Sequence, residues 1–136
     1  MLYTLNTAFI SDDLRHVIVE GANMKDPAVS NFLKGSLRIV ILNRAAAGPV
    51  HGYALIKEIR EKTGCYYGPS TIYPLLGELK KQGYLKSGWT LNGDRPNKVY
   101  TITNEGAREI HTANMQIRSA IKAVVPQILA DVAVEN

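Results

Sequence analysis

One stretch constrains this chain more than any other: residues 68–83, which read GPSTIYPLLGELKKQG. Its apolar residues recur at the i, i+3, i+4, i+7 spacing that is typical of a helix with one buried face, and they are Ile72, Leu75, Leu76 and Leu79. At about 100° per residue, these side chains share one side of the helix. The other side combines hydroxyl, small and basic residues, namely Ser70, Tyr73, Pro74, Gly77, Lys80 and Lys81.

That outer side is unusual because it contains two residues that weaken a helix. Gly77 costs about 0.8–1 kcal/mol relative to Ala. An interior proline costs about 3 kcal/mol, although Pro74 would cost less in the first turn. Small residues on an exposed face allow a large partner to approach the backbone closely, and Lys80 and Lys81 add positive charge. The pattern favours DNA as that partner.

Charge is distributed unevenly along the chain. Residues 34–100 hold eleven Lys and Arg against four acids, a net charge of +7, whereas the two flanks together carry −3. A basic centre between mildly acidic flanks suits binding of a polyanion, although a solvated basic surface would show the same balance.

Composition narrows the class of protein. A chain of 136 residues suits one domain, or one domain with appendages. The sequence contains no run of 18 apolar residues that would predict a membrane span. The N-terminus lacks the basic flank and apolar core of a signal peptide, so we expect a cytoplasmic location. The lone cysteine, Cys65, fits a reducing compartment, and we expect a structural or surface role for it rather than a thiol switch.

No pattern in the sequence predicts an enzyme. His16, His51 and His111 are scattered, and no Cys/His cluster has the spacing of metal ligands. A Gly-rich phosphate loop and an arguable Ser–His or Cys–His pair are also missing. We therefore predict no catalytic residues, no metal and no cofactor.

The first half of the chain predicts an arm and two helices before the opening stretch. Residues 1–31 form the arm, with a short helix that begins at Ser11. A second helix is expected over 32–47, with Gly35-Ser36 as an alternative start. A third helix runs from His51 to about Thr63, with Gly64 as its C-cap. A brief turn then leads to the helix at 69–82, which makes a helix-turn-helix candidate.

The second half of the chain predicts a hairpin and a final helix. Residues 84–91 alternate in polarity, turn residues fill 92–97, and 98–103 are rich in β-branched and aromatic residues. Thr103 can cap the last helix. On that helix a heptad-like seam predicts dimerisation, with packing on the same chain's core as the alternative; its members are Ile110, Asn114, Ile117, Ile121 and Val124.

These elements predict a mainly α fold with a small antiparallel β-hairpin, that is, a winged helix-turn-helix plus a C-terminal dimerisation helix. We expect three parts: an arm at 1–31, a DNA-binding domain at 32–103 and a dimerisation helix at 104–136. Five motifs then stand out along the chain: GSL at 35–37, PVHGY at 49–53, IYPLL at 72–76, LKKQGYL at 79–85 and KVYTITNEG at 98–106. In this order and spacing they resemble the PadR family of transcriptional regulators.

The resemblance implies a homodimer that binds operator DNA, usually as a repressor. The C-terminal part matches the smaller subgroup with a short C-terminal helix, whereas the N-terminal arm exceeds the common pattern. Asn97 and Val99 also depart from the family, whose second wing strand commonly begins with basic residues and two tyrosines. Arg95 and Lys98 therefore remain as the cations of the wing.

The predicted mechanism places the helix 69–82 in the major groove of double-stranded DNA and the wing 91–98 on the backbone or minor groove. The predicted DNA-binding residues are Ser70, Thr71, Tyr73, Pro74, Gly77, Lys80, Lys81, Arg95 and Lys98. The alternative is a winged-helix module that binds another protein and has no affinity for DNA. Because some PadR-like proteins respond to small phenolic or drug-like molecules, a small-molecule effector is a further partner that the resemblance leaves open.

Overall fold

The computed structural model describes residues 26–134, so the predicted helix that begins at Ser11 lies outside the described residues. Helix α1 spans Pro27–Gly35 and helix α2 spans Leu37–Ala46. The Asp26 carboxylate caps α1 by accepting a hydrogen bond from the backbone N–H of Ala28 at 2.8 Å.

The single helix expected over 32–47 is therefore wrong, and the alternative start is the better prediction. The chain leaves helical geometry at Ser36, whose ψ is 1°. The Ser36 hydroxyl donates to the carbonyl of Phe32 at 2.8 Å, and such a local bond competes with continuation of the helix. The glycine at position 35 adds to the break.

Helices α3 and α4 form the predicted helix-turn-helix. Helix α3 spans Gly52–Thr63 and ends on Gly64, whose φ of 75° confirms the predicted left-handed cap. Helix α4 spans Pro69–Lys81. Pro74 therefore lies beyond the first turn, where it has no N–H to donate to the carbonyl of Ser70, so its cost to the helix is not reduced.

The wing is a regular two-stranded hairpin with a tighter turn than the sequence predicts. Strand β2 spans Leu85–Asn92, strand β3 spans Arg95–Ile102, and Asn92 pairs with Arg95. Only Gly93 and Asp94 connect the strands, with Gly93 at φ 67°, so the turn expected over 92–97 is too long.

A further strand, β1, was missed by sequence reasoning. It spans Val50–His51 and pairs antiparallel with β3, which gives a three-stranded sheet in the order β1-β3-β2. On β3 this pairing stops at Val99 and does not extend back to Pro96. The proline, which has no N–H, therefore interrupts no ladder with β1.

The helices and the sheet share one apolar core, and its largest fully buried side chains are Leu37, Ile41, Leu55, Ile72, Leu76, Leu79 and Leu85. The core thus takes residues from α2, α3, α4 and the start of β2. This arrangement confirms the predicted mainly α fold with an antiparallel hairpin, and it presents α4 and the wing at the surface.

Two helices complete the described part of the chain. Helix α5 spans Asn104–Val124 and helix α6 spans Pro126–Val134, so the chain breaks before Pro126 as expected. The Thr103 hydroxyl caps α5 by accepting from the Gly106 N–H at 3.0 Å. One compact unit ends at His111, and the residues from Thr112 belong to another. No helix among residues 26–134 is long and apolar enough to cross a membrane.

Gly106 gives a stability prediction. A Cβ at this position would collide with the backbone carbonyl of Tyr84 and lie 2.8 Å from Cγ1 of Ile102. Because a backbone carbonyl cannot swing aside, Gly106→Ala should lower the free energy of unfolding by about 1–3 kcal/mol. Urea denaturation followed by far-UV circular dichroism measures this loss.

Gly77→Ala is the matched control, because a Cβ at Gly77 meets nothing within 4 Å. Alanine favours a helix interior over glycine, so this variant should gain up to about 1 kcal/mol. Equal stability of the two variants would contradict the close packing at Gly106.

Candidate nucleic-acid interface

Helix α4 presents one open side to solvent. Its apolar side is buried at Ile72, Leu76 and Leu79, which fixes the rotation of the helix. The opposite side carries four exposed residues within about 60° of one another, which we call the outer strip: Ser70, Pro74, Gly77 and Lys81. Because a Cβ at Gly77 would meet nothing within 4 Å in the described part of the chain, packing does not require a glycine there.

Tyr73 borders the outer strip on the side of α3. A Cβ at Gly52 would lie 2.5–2.8 Å from the ring atoms Cε1, Cζ and Oη of Tyr73, so the ring rests directly on that glycine. The side chain is nevertheless 41% exposed. Tyr73 therefore packs on the edge of the helix-turn-helix and still offers part of its ring and hydroxyl to a partner.

Arg38 borders the outer strip on the side of α2. Its guanidinium donates to Oε1 of Glu78 at 3.1 Å and also to Oε1 of Gln82. Glu78 lies in the last turn of α4 and Gln82 is the C-cap of that helix, four residues later, so one side chain holds both. The outer strip thus lies between two lateral contacts, one with α3 and one with α2.

Ion pairs account for three of the four acids in the basic centre. Arg44 contacts Glu58 at 2.9 Å, Arg38 contacts Glu78 at 3.1 Å, and the remaining glutamate, at position 61, lies 3.9 Å from Lys57. The fourth acid is Asp94 in the wing turn. Within residues 26–134, Lys80 and Lys81 have no ion-pair partner and are exposed, so their charge faces solvent.

The N-terminus of α4 also faces outward. Gly68 is its N-cap and supplies no side-chain hydrogen bond. Ser70 is exposed and Thr71 is half-buried. The first-turn N–H groups of a helix lack intrahelical partners and attract anions.

Tyr66 and Tyr53 are candidate contacts that sequence reasoning missed. Both are exposed, and the Tyr66 hydroxyl lies 2.9 Å from where a Cβ of Gly68 would stand. Tyr67, its neighbour, is buried instead and donates to the carbonyl of Ser30 at 3.3 Å. Because Tyr66 and Tyr67 both lie in a loop, no periodicity in the sequence could show which of them is exposed and which is buried.

The two predicted cations of the wing lie on opposite faces of the hairpin. Arg95 pairs with Asn92 and is exposed, whereas Lys98 pairs with Trp89. Positions three apart on a strand point to opposite sides. The sequence groups the two cations, but only the register of the hairpin shows that they face different ways.

Lys98 is half-buried over aromatic rings. Its ammonium lies 5.9 Å from the ring centroid of Trp89 and 5.6 Å from that of Tyr100, at the distance of cation–π contacts. Burial raises the pKa of the Tyr100 hydroxyl above its ordinary value. Trp89 itself is 70% exposed and Leu91 is 76% exposed, so this face of the wing is apolar and open.

The predicted dimerisation seam follows one face of α5, within about 80° around the helix. Ile110 is only 4% exposed and already packs within its own compact unit. Further along, Ile121 is half-buried, Ile117 and Asn114 are exposed, and Val124 is 79% exposed. Among residues 26–134 no group of three His, Cys, Asp or Glu side chains could hold a metal ion.

Comparison with known proteins identifies the family. The model of the family described as "Transcriptional regulator PadR-like family" matches residues 41–112, more than half of the chain. This chain belongs to the PadR-like family. The match runs from α2 through the helix-turn-helix and the wing into α5.

Two relatives and a DNA complex illustrate the likeness. Transcriptional regulator Rv3488 of Mycobacterium tuberculosis is 31% identical over 98 residues, which cover 72% of this chain and 87% of the relative. A PadR family regulator from Eggerthella lenta is 28% identical with a TM-score of 0.66, over 87% of this chain and 98% of that one. Bacillus subtilis PadR in complex with operator DNA shares the fold, at 23% identity and a TM-score of 0.53, over 73% of this chain and 65% of that one.

The contact between Gly52 and Tyr73 gives a prediction for this PadR-like chain. Gly52→Ala should push the Tyr73 ring away from α3, because the new methyl would occupy its place. The ring is partly exposed and can rotate outward, so we expect a loss of stability below about 1 kcal/mol. In the wild type, the Gly52 Hα and the Tyr73 ring protons should give a nuclear Overhauser contact. In the variant, no such contact should be seen between residue 52 and that ring.

Gly88→Ala provides the control, as a Cβ there meets nothing within 4 Å and should leave the ring signals of Tyr73 unchanged. An undisturbed Tyr73 ring in Gly52→Ala would show that the two residues do not pack as described.

Proposed function

We propose that this chain is a cytoplasmic, sequence-specific DNA-binding regulator that acts as a repressor and binds a pseudo-palindromic operator as a homodimer. The observation that carries the proposal is the outer strip of α4: it is exposed and mostly small, and Lys81 within it and Lys80 beside it have no ion-pair partner among residues 26–134. Membership of the PadR-like family supports it, as does the B. subtilis PadR of the same fold, which was solved with operator DNA.

The dimensions of the outer strip suit the major groove. Ser70 and Lys81 are eleven residues apart, about 16 Å along the axis at 1.5 Å per residue. The major groove is about 12 Å wide, so both ends of the strip can reach phosphates while its middle faces the base edges. At the first end the helix N-terminus and hydroxyls suit phosphate, and at the other end Lys80 and Lys81 add charge.

The wing extends the contact beyond the major groove. Arg95 stands next to the turn and is exposed, so it can enter the adjacent minor groove or meet the backbone. Lys98 is held against Trp89 and Tyr100 on the other face, where its ammonium can approach a phosphate. The two cations would thus contact different parts of the DNA.

The C-terminal helix would provide the two-fold partner. Beyond Ile110, the apolar positions of the seam are exposed or half-buried, and a second copy of the chain would bury them. A two-fold dimer presents two α4 helices, which require half-sites about one helical turn apart. A bound dimer over a promoter would block transcription, which accounts for repression.

A winged-helix module that binds another protein is the second candidate. The exposed apolar face of the wing, at Trp89 and Leu91, favours it, since such faces often mark contacts between proteins. The two candidates differ in their response to salt, because neutralisation of phosphates by lysine and arginine imposes a steep dependence on salt.

A small-molecule effector is a further proposal, with its own candidate location. A groove of about 440 Å³ opens between α1, α2 and α3, and it is lined mainly by apolar side chains with Arg44 and Glu58 among them. Its volume lies in the range of small-molecule sites. Calorimetry with a panel of aromatic compounds would show heat of binding for an effector, and no heat for any of them would exclude that panel.

The DNA-binding proposal makes a prediction about salt. Lys81→Ala removes one phosphate contact, so the slope of log K against log salt should fall by about 1 in magnitude. Fluorescence anisotropy of a labelled duplex from the chain's own promoter region, across a salt series, measures the slope.

Lys62→Ala is its control, because Lys62 lines the groove on α3 and lies away from the outer strip. Removal of this lysine should leave the slope unchanged. Binding that ignores salt, or no binding by the wild type, would favour the protein-binding module.

The dimer proposal makes a separate prediction. Ile117→Asp combined with Val124→Asp places two carboxylates on the seam and should convert the dimer to monomers, as measured by sedimentation velocity. Ser119→Asp adds a carboxylate on the opposite side of α5 and should leave the dimer intact. A wild type that is monomeric at micromolar concentration would contradict the dimer.

A further inference from the structure

Glu78 is a carboxylate on the helix that is proposed to read DNA. It is the only acid in α4, it is exposed, and it lies about 70° around the helix from the centre of the outer strip. A bare carboxylate at that place would be repelled by phosphates, and juxtaposed like charges oppose binding. The sequence alone therefore contains a conflict between Glu78 and the function of its helix.

Arg38 removes that conflict. Its Nη1 lies 3.1 Å from Oε1 of Glu78, and its Nη2 donates to Oε1 of Gln82. The guanidinium is a planar fork that stays charged, so it can hold both acceptors in one orientation. Because α2 carries Arg38 on the flank of α4, the contact draws the carboxylate towards α2 and away from the outer strip.

We propose that Arg38 is a positioning residue for DNA binding: it neutralises Glu78 and holds it aside, so that the outer strip presents only neutral and cationic groups to DNA. The inference rests on the proposed function and deepens it. An exposed ion pair contributes little to the stability of the fold. The contribution of the Arg38–Glu78 pair is therefore to the affinity for DNA.

The test compares Arg38→Gln, Glu78→Gln and the double variant, with the affinity for the promoter duplex measured by anisotropy at low salt. Arg38→Gln should weaken binding on the order of ten-fold, because it exposes an unpaired carboxylate beside the phosphates. Glu78→Gln should bind at least as tightly as the wild type. The double variant should return to within about two-fold of the wild type, because no charge is left unpaired.

The double variant separates this role from a structural one. If Arg38 merely fastened α2 to α4, the double variant would lack that fastening and bind as weakly as Arg38→Gln. Arg38→Lys keeps the charge and should stay within about three-fold of the wild type. Either a weak double variant or a weak Arg38→Lys variant would overturn the proposal.

A second ion pair controls for net charge. Arg108 and Glu105 pair within α5 at 3.4 Å, so Arg108→Gln removes the same charge and should change the affinity less than about two-fold. An effect of Arg108→Gln as large as that of Arg38→Gln would reduce the result to overall charge and contradict the proposal.

Two further outcomes are decisive. A ten-fold loss in Glu78→Gln would mean that Glu78 contacts a base, since carboxylates accept from cytosine N4, and it would overturn the masking role. A wild type that binds no duplex would overturn the proposed function and this inference together, whereas tight wild-type binding with a weak double variant overturns the inference alone.

Discussion

The burial of one side of α4 is the constraint on which the rest of the structure depends. Ile72, Leu76 and Leu79 are fully enclosed by the core, so the helix cannot rotate without exposing them. Exposure of even one such side chain costs about 1.5–3 kcal/mol. Pro74 and Gly77 must consequently face outward. There they destabilise the helix, and no packing contact offsets that loss. A surface that is maintained against stability in this way is best explained by a partner that approaches it.

Contacts on the two flanks of α4 determine which part of its outward side stays open. On one flank the Tyr73 ring rests on Gly52, and on the other Arg38 holds Glu78 and Gln82. Both contacts reach the neighbouring helices of the same compact unit and leave the outer strip open between them. Burial of its apolar side fixes the helix in orientation before any partner binds, which reduces the entropy that binding must overcome.

Periodicity and turn chemistry predict the elements whose signals are local. The apolar spacing in α4, the left-handed Gly64 and the Thr103 cap were all predicted from the sequence. Strand β1 was not, because two residues carry no period and form a strand only through pairing with β3, about fifty residues later. At the break, the hydroxyl and the backbone N–H of Ser36 both donate to the Phe32 carbonyl, a local arrangement that composition does not resolve.

In the candidate site, too, the features with local signals could be predicted from the sequence, and those that depend on pairing or packing could not. Residues on the outer strip follow from a helical projection of residues 68–83, since only the period of the helix is needed. The opposed faces of Arg95 and Lys98 require the register of the hairpin, and the contact of Arg38 with Glu78 joins residues forty positions apart. Contacts of that kind depend on tertiary packing, so no local pattern in a single sequence contains them.

The central claim is that the outer strip of α4 reads DNA, and one measurement tests it most directly. Duplexes bound from a random pool are sequenced for the wild type and for Gly77→Leu, which should fold because a Cβ at Gly77 meets nothing within 4 Å. The account predicts that the wild type enriches a pseudo-palindrome with half-sites about one helical turn apart, and that Gly77→Leu enriches no sequence because its side chain blocks close approach. Enrichment of the same sites by both proteins would contradict the account.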